Sequence, residues 1–130
     1  MAEASTPQPS RVLVIDDDDL FRTVTCRLLV SAGYDVQEAA SGAAGLASHR
    51  QQPADVIVTD IVMPDMEGLE LIRELRRADP QVKIIAMSGG GRLGTDDYLE
   101  LALTFGARLV LSKPFTKDVL VAAVNNVLAT

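Results

Sequence analysis

The chain has 130 residues, enough for one domain around a single core, and its 48% hydrophobic content fits a compact water-soluble fold. A formal net charge of −6 with no dense cluster of lysines and arginines argues against direct binding to nucleic acid, whose phosphates require such residues. Met1 to Ser10 lacks the basic start and apolar core of a secretory signal, and no run of about 18 apolar residues could cross a bilayer, so the expected location is the cytoplasm, without membrane insertion.

Residues 1–10 are small, polar and proline-bearing, a composition too poor in apolar surface to offset ordering entropy, and they read as a loose tail before a single domain over 11–129. Arg11 to Ile15 is an apolar, β-branched run suited to a buried strand, and it ends in Asp16, Asp17, Asp18 and Asp19. From Leu20 the positions Phe21, Val24 and Leu28 recur at helical spacing as far as Gly33, with Asp18 or Asp19 at the positive start of the helix. The lone cysteine, Cys26, falls in this helix; it can form neither an internal disulfide nor a cysteine metal cluster and reads as a packing residue. Tyr34 to Glu38 alternates as a half-exposed edge strand should, and Ser41 then caps a helix that reaches about Gln52 before Pro53. His49, the only histidine, lies on that helix and reads as partly packed or solvated, because no cysteine or second histidine offers it a metal-binding partner.

Val56 to Val58 is a strand buried on both faces, and it delivers Asp60 where the strand runs out. Met63-Pro64 and Gly68 turn the chain into a helix carrying Leu69, Ile72 and Leu75. Asp79-Pro80 breaks that helix, and Val82 to Ala86 forms a fourth strand ending at Met87-Ser88. Gly89 to Gly94 is a glycine-rich loop, after which Thr95-Asp96-Asp97 opens a helix through Phe105, closed by Gly106. Arg108 to Leu111 makes the fifth strand, ending at Ser112-Lys113-Pro114-Phe115, and Thr116 caps a last helix striped by Leu120, Val121, Val124, Val127 and Leu128. Strands alternating with helices through short loops predict an α/β fold, a (βα)5 doubly wound parallel sheet of five strands with helices on both faces.

In such a sheet, ligands bind beyond the carboxyl ends of the strands, where the strand order reverses. If the first and third strands are neighbours there, Asp16, Asp17 and Asp60 converge, and carboxylates repel by about 4 kcal/mol per pair at 4 Å and an effective dielectric near 20. A positive partner must offset this. Oxygen donors without cysteine or histidine favour a hard cation, and a site with few protein carboxylates suits Mg²⁺ better than Ca²⁺. Lys113 can bring a second positive charge, which leaves Asp60 as a candidate nucleophile toward a phosphoryl group.

Four stretches in order, Val14-Ile15-Asp16-Asp17-Asp18, Thr59 to Gly68, Met87-Ser88-Gly89, and Gly106-Ala107 through Lys113-Pro114-Phe115, give the chain a specific resemblance to the receiver domain of bacterial two-component response regulators, of the chemotaxis-regulator kind. The resemblance covers Arg11 to Leu128 and implies strand order 2-1-3-4-5. It also implies that Asp60 is the phosphoacceptor, and that Asp17, Asp60 and the backbone carbonyl of Val62 bind Mg²⁺, with Asp16 reaching the ion through a water. Ser88 would hydrogen-bond the phosphoryl group, Lys113 would pair with it, and the Lys113-Pro114 bond would be cis. The implied partners are a sensor histidine kinase or phosphotransfer protein upstream and a protein target downstream, met through the fourth helix, fifth strand and last helix; pairing of two copies is a further expectation. Such a domain catalyses its own phosphorylation and dephosphorylation.

One departure from the family pattern bears on switching: Val110 stands where an aromatic usually rotates inward, and it reads as a plain strand residue, with signalling left to the Gly89 to Gly94 loop and the helix after it. Val62 and Gly90, where polar groups are usual, suggest slow self-dephosphorylation. Three competing readings are weaker. An aspartate-nucleophile phosphatase would continue Asp16-x-Asp18 with Thr or Val rather than Leu20, a flavodoxin-like cofactor binder would place Asp16 to Asp19 against its own phosphate ligand, and a phosphorylation-independent module of the same fold would not need the acceptor residues.

Overall fold

Strand β3 (Val56–Asp60) is buried along its whole length and forms the middle of the fold. In the computed structural model, which describes residues 9–61, 68–89 and 95–130, with 95–99 as backbone alone, it pairs in parallel with β1 (Arg11–Ile15) on one side and β4 (Ile84–Gly89) on the other. Strands β2 (Asp35–Ala39) and β5 (Leu109–Lys113) close the edges, so the five-stranded sheet has the order β2-β1-β3-β4-β5. The order reverses between β1 and β3, whose registers place Ile15 level with Thr59. Helices α1 (Asp19–Ser31) and α5 (Lys117–Leu128) cover one face; α2 (Gly42–Gln51), α3 (Gly68–Ala78) and α4 (Thr95–Phe105) cover the other. No described helix is long and apolar enough to cross a membrane.

Alternation along the strands sorts the core into two layers. Val12, Val14, Val56, Val58, Ile85, Met87 and Leu111 meet Cys26 and Leu29 of α1 and Leu120, Ala123, Val124 and Val127 of α5. Leu13, Ile15, Ile57, Ile84 and Ala86 meet Leu46 of α2, Leu71, Ile72 and Leu75 of α3, and Ala102 of α4. Each fully buried Leu or Ile of these layers contributes roughly 1.5–3 kcal/mol. The helix starts fall at the expected residues: Asp18, Ser41 and Thr116 accept from the backbone N–H of Phe21, Ala44 and Val119, and such caps stabilise by about 1 kcal/mol each.

Several local expectations change. Val24 faces solvent with Leu20 and Val30, while the buried stripe of α1 runs through Thr25, Cys26 and Leu29, with Phe21 half-buried. Thr25 is tolerated there because its hydroxyl donates to the Phe21 carbonyl at 2.9 Å. Val82 belongs to the turn before β4 rather than to the strand, since its N–H donates to the Asp79 carbonyl. Strand β5 continues to Lys113 itself. Of the expected tail, residues 1–8 lie outside the described residues, and the Ser10 carbonyl already accepts from Asp35 at the foot of β2.

His49 is only 2% exposed; Nδ1 accepts from Ala54 N–H and Nε2 lies 3.0 Å from Asp79 Oδ2, an arrangement that assigns the proton to Nε2. It stitches α2 to the turn after α3. Burial pushes the Cys26 thiol up to about 11, which keeps it protonated and inert.

Gly68 opens α3 against the end of β3: its N–H donates to the Ile61 carbonyl at 3.0 Å, and a Cβ there would lie 2.1 Å from Ile61 Cα. Because that neighbour is backbone, it cannot rotate away. Gly68→Ala is expected to cost about 1–3 kcal/mol in equilibrium urea unfolding; an unchanged midpoint would show that the contact has room for a methyl group.

Candidate functional site

The two-residue alternation that builds the core also builds the site. Continuing Val12 and Val14 of β1 leads to Asp16; continuing Val56 and Val58 of β3 leads to Asp60; continuing Leu109 and Leu111 of β5 leads to Lys113. All three side chains therefore emerge on the α1/α5 face at the carboxyl ends of their strands. There the Lys113 Nζ donates to Asp16 Oδ2 at 2.8 Å and to Asp60 Oδ2 at 3.1 Å. Asp16 is fully buried and Asp60 is 7% exposed, while the Lys113 side chain keeps 14% of its surface in water.

The loop after β1 is held by a second set of contacts. Asp16 Oδ1 accepts from Asp18 N–H at 3.0 Å, and Arg22 donates to the Asp16 carbonyl, to Asp19 and to Glu38. The hydrogen bonds to Glu38 and Asp19 raise the Arg22 value still further. Asp17, exposed, completes a cluster in which Asp16, Asp17 and Asp60 each offer an oxygen within 4.8 Å of the others. Three carboxylates against one ammonium leave a formal charge of −2 (three negative, one positive). An all-oxygen donor set with that residual charge fits a hard divalent cation held by Asp16, Asp17 and Asp60.

Burial acts downward on the Lys113 ammonium and is the largest single influence. The hydrogen bond to Asp16 and the charges of Asp60 and Asp16 together outweigh it, and hold the lysine above its usual value. The ammonium also lies 4.3 Å from the centroid of the Phe21 ring, which forms a T-shaped pair with Phe115 at a centroid distance of 5.4 Å. Neither ring was expected at the site. Phe21 reads in sequence as an apolar helix position, and only the fold reveals that its face meets a charge.

Ser88 lies on the neighbouring strand, one residue past the Met87 that pairs with Asp60, and is buried. Its alternation with Ala86 puts it on the α2–α4 side of the sheet, opposite the Asp16, Asp60 and Lys113 side. Val110 is half-buried in that same layer as an ordinary strand residue. The Lys113-Pro114 bond is cis. Val62, the expected carbonyl ligand, and residues 90–94 of the expected moving loop lie outside the described residues.

The sequence model of the response regulator receiver domain matches residues 12–125. The chain belongs to this receiver family. It is 33% identical over 118 residues to the chemotaxis protein CheY of Thermotoga maritima, an alignment covering 90% of this chain and 96% of that one. It is also 38% identical over 119 residues to the sensor kinase CckA of Brucella abortus, of which this receiver spans 12%. Among solved structures, a CheY-like receiver domain protein of Methanospirillum hungatei superposes with a TM-score of 0.85 at 30% identity, covering 94% of this chain and 95% of that one. A receiver domain protein of Clostridium thermocellum gives 0.84 at 33% identity, covering 92% and 94%. The receiver is thus a two-component signalling domain with the strand order the resemblance implied.

Removing the ammonium leaves two buried carboxylates facing each other, so Lys113→Met in metal-free buffer at pH 7 to 9 is expected to cost about 3 kcal/mol in urea unfolding. Folding raises the lysine value, so its contribution is complete below about pH 10.4 and is lost as pH climbs through the folded-state value. The deficit of the variant should therefore narrow above that pH; a deficit unchanged at about pH 11.5 would show that the charge is not what matters.

Proposed function

We propose that residues 11–129 are a phosphorylation-activated receiver in the cytoplasm, in which Asp60 accepts a phosphoryl group from a sensor histidine kinase or a phosphotransfer protein. The observation that carries this reading is the buried Asp60 carboxylate at the end of the central strand, hydrogen-bonded by Lys113 Nζ at 3.1 Å. The similarity to receiver segments of sensor kinases such as CckA supports a kinase as the donor.

An Asp60 carboxylate oxygen attacks phosphorus, the P–N bond to the donor imidazole breaks, and the electron pair leaves with that imidazole, which is protonated by solvent. Lys113 exchanges its bond to Asp60 for one to a phosphoryl oxygen, and the Ser88 hydroxyl supplies another from the opposite side of the sheet. Asp16, Asp17 and Asp60 would hold Mg²⁺, with the Val62 carbonyl as a further ligand, and the ion would offset charge on the transferring group.

Phosphorylation adds roughly −1.5 to −2 charge at the end of β3. Shifting a population from 1:99 to 99:1 needs about 5.5 kcal/mol of differential interaction, and hydrogen bonds to charged groups supply about 1.5–3 kcal/mol each. The Ser88 bond is gained outright while the Lys113 bond replaces one already made to Asp60, so the two supply part of the requirement and the added charge must supply the remainder. The output surface in this reading is α4, β5 and α5, where Leu101, Leu103, Phe105 and Val119 are exposed, and it serves a protein target or a second copy of the chain.

Intact mass after incubation with Mg²⁺ and acetyl phosphate tests the acceptor. The wild type should gain one phosphoryl group, about 80 Da, and Asp60→Asn none. Label retained by the variant would move the acceptor to another residue.

A further inference from the structure

Two of the Lys113 ammonium's partners, Asp16 and Asp60, are the carboxylates that the proposed reaction calls away, one toward a cation and the other into the new acyl phosphate. The third partner, the face of Phe21 at 4.3 Å, takes no part in that exchange. Phe21 stands in the first turn of α1, its own N–H held by the Asp18 cap, so the ring starts from a fixed backbone. Phe115, two residues past Lys113, packs against it with the ring planes at 89°, a T-shaped contact of the kind that aromatic pairs favour. The negative face of an aromatic ring attracts an ammonium, and more strongly when the ammonium is largely withdrawn from water, as the Lys113 side chain is at 14% exposure. An aliphatic residue would fill the same space without that attraction.

From this geometry we infer that Phe21 is a positioning residue for the reaction: its ring keeps the Lys113 ammonium over Asp60 while the carboxylate contacts are being exchanged, and Phe115 braces the ring. The inference rests on Asp60 being the acceptor.

Fluorination withdraws charge from the ring face while nearly preserving its shape, so the test replaces Phe21 in the full chain with 4-fluoro- and 3,4,5-trifluorophenylalanine, alongside Phe21→Leu and Phe21→Tyr. Two quantities are read: the Lys113 ammonium resonance in metal-free protein by ¹H–¹⁵N NMR, and the rate of Asp60 phosphorylation by acetyl phosphate with Mg²⁺. We expect the resonance to move and the rate to fall stepwise with fluorination, by about 3- to 10-fold for the trifluoro ring and for Phe21→Leu. Phe21→Tyr should keep the wild-type rate, and the fluorinated proteins should still unfold cooperatively in urea. A wild type that is phosphorylated, with rates indifferent to fluorination, would overturn the role of the ring alone, whether or not the resonance moves. A wild type that takes no phosphoryl group would overturn the acceptor reading and this inference with it, while the resonance would still report whether ring and lysine touch.

Discussion

Two carboxylates, Asp16 and Asp60, are taken out of water at the ends of adjacent strands, and the molecule is arranged around compensating them. Withdrawing an ionised carboxylate from solvent costs several kcal/mol even after relaxation. That cost is met by an ammonium arriving from β5, three strands along from β1 in the sheet. The reversal of strand order between β1 and β3 is what makes Asp16 and Asp60 neighbours, and β5 is positioned by β4, which pairs with β3. Sheet topology and site chemistry are therefore one constraint. A change of register by one residue in any of these strands would turn its charged terminus to the opposite face.

The alternation of side chains divides the site between two layers. Asp16, Asp60 and Lys113 belong to the layer of α1 and α5, whereas Ser88 belongs with α2, α3 and α4. A group bound at the end of β3 and held by both Lys113 and Ser88 would link two layers that otherwise pack separately on the sheet. With Val110 lying in the α2–α4 layer as an ordinary strand residue, the ring that meets the lysine is Phe21, packed with Phe115 in the opposite layer.

The parts of this molecule legible in its sequence are those set by neighbours close along the chain. Val56 to Val58 could only be a buried strand, so Asp60 had to be a strand terminus, and the caps at Ser41 and Thr116 follow from side chains that reach backbone three residues ahead. Asp16, Asp17 and Lys113 point to a common site because each stands at the end of a strand run, and the fold brings Asp16 and Asp17 together with Asp60 and sets Lys113 against Asp16. What escaped is of two kinds: local hydrogen bonds that an apolar pattern does not show, and a partner distant in sequence. Thr25 occupies the buried stripe of α1 through a bond to its own helix, displacing Val24 to the surface. Phe21 meets Lys113 across 92 residues (113 minus 21), a contact no periodicity encodes. Val82 is apolar and buried, as a strand residue would be, yet Asp79 holds it in a turn.

His49 gives the chain an unusual chemical simplicity. It is the only imidazole present, its Nδ1 is occupied by a backbone N–H, its Nε2 faces Asp79, and almost none of it reaches solvent. A domain whose proposed donors carry phosphorus on imidazole nitrogen thus presents no exposed imidazole of its own to compete for it. In a mixture of donor and receiver, any acid-labile, alkali-stable phosphoramidate belongs to the donor, and an acyl phosphate cleaved by hydroxylamine belongs to the carboxylate side. The two halves of the transfer can be told apart by bond chemistry alone, without separating the proteins.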